Sequence, residues 1–99
     1  MKQIIVDPDR LVQTAQQIEQ ADGEYQQLYQ SLYGEVDKMS QAWSGKDNVA
    51  FSNQLRGYEK DFRSISLLLR QYAEFLRNSA RAYQDTQDEI YAQASHIHL

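Results

Sequence analysis

Apolar residues recur along this chain at helical spacing in two long arms separated by one break. In the first arm Leu11, Ile18, Tyr25, Leu32 and Met39 stand seven apart, and Ala15, Ala21, Leu28, Tyr29, Val36 and Ala42 fill the shorter steps between them. Only Asp22 and Glu35 interrupt that stripe, each placed where it could lie at the stripe's edge. In the second arm Leu55, Phe62, Leu69, Leu76, Tyr83, Ile90 and Ile97 repeat at seven, interleaved with Phe51, Tyr58, Ile65 and Tyr72. Ser79, Thr86 and Gln93 soften the seam toward the end. This is the period of amphipathic helices packed along a coiled-coil-like seam.

The ends of the arms carry helix signals. Asp7-Pro8 predicts a start, with the carboxylate as N-cap and proline at the first helical position, where no N–H is needed. Ser44-Gly45-Lys46-Asp47 has the form of a capping box, with the Ser44 hydroxyl capping the new helix and Asp47 favouring its positive end. Gly45 permits the tight bend. Gly23 and Gly34 each weaken the first helix by about 1 kcal/mol relative to alanine. The pattern predicts an all-α, antiparallel helix-turn-helix hairpin, one domain over residues 1–99. Helix 1 covers about 8–42, the turn about 43–46 and helix 2 about 47–94, in a rod ~50–65 Å long at ~1.5 Å per residue.

A lone hairpin cannot bury every apolar group of the second arm. In the run Ile65-Ser66-Leu67-Leu68-Leu69, Leu67 and Leu69 point apart, and Phe75 continues the line of Leu68. Helix 2 is therefore apolar around much of its girth near its middle, which calls for a second partner surface. The expected solution is a dimer, homotypic or heterotypic, forming an elongated four-helix bundle. Its interface residues would be Ile65, Leu67, Leu68, Leu69, Tyr72 and Phe75.

Composition narrows the function classes. The chain has 99 residues, 41% of them hydrophobic and 11% aromatic, which is enough for packed helices and too much for a disordered tail. No run approaches the ~20 apolar residues of a membrane span. The opening Met1-Lys2-Gln3-Ile4-Ile5-Val6-Asp7 falls short of a signal-peptide core, so export by the general secretory signal is not expected. The absence of cysteine excludes disulfides and thiolate metal sites. A net charge of −4 argues against nucleic acid as a partner. Residues 1–43 hold seven acids against three bases, whereas residues 44–99 balance at seven and seven. That asymmetry favours antiparallel pairing of the arms.

No catalytic chemistry is visible. His96 and His98 are spaced by two at the terminus, diverge on a helix and lack further ligands. Gly45-Lys46 lacks the upstream glycine of a phosphate loop. No enzyme activity, cofactor or metal is expected. Arg56, Arg63, Arg70 and Arg77 form a stripe that either covers the seam and pairs with helix 1 acids or offers a docking face to an acidic partner. Tyr25, Tyr29 and Tyr33 follow one face as core and interface.

The central Trp43-Ser44-Gly45 between two amphipathic helices, in about a hundred residues, resembles the WXG family of type VII (ESX) secretion substrates. The opening Ile4-Ile5-Val6-Asp7-Pro8-Asp9-Arg10-Leu11 and the aromatic Phe51 after the turn carry the same likeness. The resemblance implies a hairpin that dimerises with itself or another WXG-type protein, is exported folded by an ATPase machine of the FtsK/SpoIIIE type, and ends up secreted. It also implies a C-terminal export signal, a tyrosine followed four residues later by an acid. Tyr83 aligns as that tyrosine, but the fourth position is Gln87, and Asp88 lies one step beyond. A companion role follows as an alternative, in which this chain binds the helical targeting domain of a larger toxin. A membrane-active helix pair is a third reading, disfavoured by the acidic charge. Trp43 either plugs the bundle end or joins a recognition surface with the partner's C-terminal helix. Tyr83 is either a seam residue or part of the export signal.

Overall fold

The computed structural model describes residues 6–43 and 45–96. Helix α1 covers Pro8–Ala42, α2 Lys46–Gly57 and α3 Glu59–His96. Asp7 caps α1 by accepting the Asp9 N–H at 3.0 Å, with Pro8 in the first turn. The helix then runs 35 residues through Gly23 and Gly34 without a break. The second arm, continuous in the sequence pattern, is divided at Tyr58. Gly57 weakens the helix there, and the Tyr58 N–H turns to the Leu55 carbonyl at 3.1 Å, the shorter step of a 3₁₀ turn. Tyr58 keeps helical angles of −80° and −11°, so the chain does not reverse.

The second arm returns antiparallel along the first. Ala15 packs with Ala73 and Leu76 in a small core flanked by Leu11 and Ile18. Farther along, Asp22 meets Ser66, Tyr25 meets Phe62, Tyr33 meets Leu55, and Ser40 meets Ser52 near the tip. The described residues span 85 × 24 × 18 Å with a radius of gyration of 23.1 Å, against ~13 Å for a compact chain of this size. The rod is longer than the sequence reading gives because α3 overruns the start of α1. In this register Ala80 lies beside Pro8 and Val12, and every residue from 84 to 96 is exposed.

The contact line differs from the row of large residues. Leu55, Phe62, Leu69, Leu76 and Tyr83 are partly or fully buried, but Phe51, Tyr58, Ile65 and Tyr72 are exposed. Asn48, Ser52, Ser66, Ala73 and Ala80 are buried in their place. Small side chains at these positions let the two backbones approach, and Phe51, Tyr58, Ile65 and Tyr72 fall on the flank of the contact. In α1 the seven-residue line of Leu11, Ile18 and Tyr25 drifts outward, so Leu32 and Met39 are exposed while Tyr29, Tyr33, Val36 and Ser40 turn inward. A helix rotates ~20° per heptad relative to a strict seven-residue repeat. Over four heptads that moves the line off the contact.

The hairpin therefore has two unlike broad faces. Antiparallel neighbours turn equivalent flanks to the same side, so Leu28, Leu32 and Met39 share a face with Phe51, Tyr58, Ile65, Leu68, Tyr72 and Phe75. The opposite face is polar. There Arg56 binds Asp37 at 3.1 Å, Arg77 binds Glu19 at 2.7 Å, and Arg70 stands 3.8 Å from Asp22. Arg63 pairs with Glu59 inside the second arm. Three of the four stripe arginines thus reach acids of α1, contacts that contribute only ~0–1 kcal/mol each where exposed.

The tyrosine ladder clasps Phe62. Rings of Tyr25, Tyr29 and Tyr33 lie 6.3, 6.0 and 6.2 Å from it. The Tyr25 hydroxyl donates to the Phe62 carbonyl at 3.0 Å, and the Tyr33 hydroxyl donates to the Leu55 carbonyl beside the break. Burial raises both phenol pKa values above the ordinary 10.0, helped by Tyr29 and Asp22 at Tyr25, and by Glu59 and Asp61 at Tyr33. A proton held more tightly in the fold stabilises it fully below pH ~10, and that contribution is lost as pH rises through the folded pKa values. Thermal melts from pH 8 to 11 should show an alkaline loss of stability that Tyr25→Phe/Tyr33→Phe reduces. An identical alkaline slope in the double variant would contradict the assignment.

Candidate functional site

The hairpin tip is assembled from the end of α1 and the start of α2. Trp43 follows α1 in an extended conformation, φ −112° and ψ 114°, with its N–H on the Met39 carbonyl at 2.9 Å. Its side chain is 41% exposed and rests against Phe51, ring centroids 6.1 Å apart and tilted by 51°. Ser44 lies outside the described residues. Gly45 takes φ +130°, a value that L side chains rarely adopt, so the backbone itself calls for glycine there. Gly45 is the N-cap of α2, and the expected cap by the Ser44 hydroxyl falls outside the described residues. Asp47 sits in the first turn, where its charge suits the helix dipole.

What closes the turn is a buried polar cluster. The Asn48 side-chain amide donates to the Ser40 carbonyl at 3.1 Å and to the Trp43 carbonyl. Its Oδ1 accepts from the Ser52 hydroxyl at 3.1 Å, and the Ser40 and Ser52 hydroxyls stand 2.7 Å apart. Asn48 thereby binds a carbonyl that the end of α1 leaves without a helical partner. The sequence does hold a faint signal of this. Asparagine inside a helix is poorly placed unless its side chain bonds backbone, and Ser40, Asn48 and Ser52 fall at spacings that turn them inward.

A second polar cluster lies at mid-seam. Asp22 is 2% exposed, buried in the contact line and not at its edge, whereas Glu35 is exposed. The Asp22 carboxylate accepts the Ser66 hydroxyl at 2.6 Å and the Gln26 amide at 2.8 Å.

At the other end, Tyr83 is half-buried where the overlap of the arms ends. Gln87 lies one turn beyond it. Asp88 accepts the Gln84 amide at 3.1 Å, so its carboxylate is held on the Gln84 side of the helix and away from Tyr83. Ile90 and Tyr91 of this overhang are exposed.

Ile65, Leu68, Tyr72 and Phe75 form one outward stripe at steps of three and four, and Tyr72 stacks with Phe75 at 6.3 Å. Leu69 belongs to the row facing α1 and is half-buried. Leu67 is exposed but lies about 100° round the helix from Leu68, outside the stripe. Toward the tip the stripe runs into an apolar groove of about 260 Å³ lined by Leu32, Glu35, Val36, Met39, Phe51 and Leu55.

Among the described residues no group of three or more His, Asp or Glu side chains could hold a metal ion, and no helix is long and apolar enough to cross a membrane. His96 is exposed on the last turn of α3; His98 lies outside the described residues.

A two-helix hairpin with tryptophan and glycine at its tip defines a known class, and residues 3–88 match the family model of proteins of 100 residues with WXG. The chain belongs to the WXG100 family, whose members are ESX-type substrates of type VII secretion acting through helical protein–protein contacts. Among solved structures it is similar to EsxA of Geobacillus thermodenitrificans, at 25% identity and a TM-score of 0.78, covering 90% of this chain and 99% of that one. It is also similar to the secreted protein EsxB of Bacillus anthracis str. Sterne, at 21% identity and a TM-score of 0.76, covering 88% and 99%. No curated protein matches the chain.

Proposed function

We propose that this chain packs its apolar face against a second WXG-type hairpin, as homodimer or heterodimer, and that the resulting four-helix bundle leaves the cell folded through a type VII system. The observation that carries this is the face itself. Leu68 is 64% and Phe75 62% exposed, on a stripe continuous with the groove at the tip, and the hairpin's own core is small. Apolar surface of this extent on two long helices is stabilised by another such surface. The bundle acts by contact and not by catalysis. Recognition by an FtsK/SpoIIIE-type ATPase uses the Trp43-Ser44-Gly45 motif together with the Tyr83 end of α3. The exposed overhang of α3 supports this, because it leaves a helical segment free for a receptor.

Gln87 favours a second reading. With no acid one turn beyond Tyr83 and Asp88 held by Gln84, this chain could serve as the companion of a larger helical toxin that carries the complete signal. A secretion assay in the native host tests export directly. Trp43→Ala and Tyr83→Ala should each abolish it, while normal export of both would contradict the proposal. Copurification with a larger helical protein would favour the companion role.

A further inference from the structure

We infer that Asn48 is the positioning residue of the tip, holding the Trp43 indole in the orientation in which the export machinery reads it. This rests on the reading of Trp43 as a recognition residue. Asn48 is only 7% exposed, and all the bonding groups of its amide are engaged. One donor closes on Ser40, still within α1, and the other on the Trp43 carbonyl beyond it. The Trp43 peptide is thus fixed from both sides, its N–H by Met39 and its carbonyl by Asn48. With φ and ψ set, the Cα–Cβ bond is aimed, and the indole rests against Phe51. Nothing else described at the tip performs this task. Gly45 supplies conformational freedom, which alone would let the indole wander, and has no side chain to cap α2. The Ser52 hydroxyl orients the amide by donating to Asn48 Oδ1, which leaves the nitrogen pointing at the two carbonyls.

The test uses Asn48→Asp, which keeps the shape and removes both donors, with Ser52→Ala as a milder second variant and Trp43→Ala as reference. Trp43 is the one tryptophan of the chain, so its dichroism at the long-wavelength edge of the near ultraviolet, beyond the tyrosine bands, and its selectively excited fluorescence anisotropy report the tip. Asn48→Asp should keep far-ultraviolet helicity and the oligomeric mass, lose most of the tryptophan dichroism, and export at least ~10-fold less, the combined scale of the two hydrogen bonds removed. Ser52→Ala should move the same readouts less and serves as the decisive variant if Asn48→Asp fails to fold. Parental tryptophan signals and parental export in the folded variant would overturn the role of Asn48. Export of Trp43→Ala at the parental level would overturn the underlying reading of the tip instead.

Discussion

Leu68→Asp/Phe75→Asp should leave hairpins that no longer pair. Each parent side chain is more than three-fifths exposed in the isolated hairpin, and its burial in a bundle contributes about 1.5–3 kcal/mol. An aspartate in its place also carries a desolvation cost when a partner covers it. The combined effect raises the dissociation constant by at least ~100-fold, the factor for ~2.8 kcal/mol. In a homodimer each substitution is met twice, and the loss is larger. Sedimentation at micromolar concentration should show the parent as a pair and the variant as a single chain with a lower, broader melt, because among the described residues the apolar side chains that the hairpin alone fully buries are Ala15, Val36, Ala73, Leu76 and Ala80. Leu67→Asp, off the stripe, should pair nearly as the parent does. If the double variant pairs normally and Leu67→Asp does not, the covered face is the wrong one.

The second large effect lies inside the seam. Ser66→Val should destabilise the hairpin by about 1–3 kcal/mol, since it strands a buried Asp22 oxygen that has lost its donor. That corresponds to a fall of ~10 °C in melting temperature for a domain of this size. Arg70 cannot compensate, because it stands 3.8 Å away on a largely exposed side chain. Adding Asp22→Leu should recover most of the loss, as apolar replacements of a buried polar pair often do. A double-mutant cycle measures this directly. Equal stability of Ser66→Val and parent, or strict additivity of the two changes, would show that Asp22 does not depend on Ser66.

Both effects arise where residue size misleads a reader of the sequence. Asp7-Pro8 and Gly45 mark the ends of the arms, and the seven-residue repeats mark their helicity, because those signals are local. The facing of each helix is not local. Ala73 and Ala80 are small enough to be overlooked beside Phe51, Ile65 and Tyr72, yet close helix approach selects the small row and leaves the large one on the flank. Asp22 resembles an edge residue until Ser66 is placed opposite it, 44 positions away. Asn48 carries no local signal of its partner, and only the path of the chain shows that it reaches back to α1. Of the expected interface, Ile65, Leu68, Tyr72 and Phe75 form a surface, whereas the adjacent Leu67 and Leu69 are carried away from it by the helical twist.

The pairing of the apolar face is tested most directly by native mass measurement of the complex isolated from the host under conditions that preserve it. The expected particle holds two hairpin-sized chains, about twice the 11.6 kDa of this one, with either a second copy or a related hairpin as partner. A solitary 11.6 kDa chain that still melts cooperatively at micromolar concentration would contradict it.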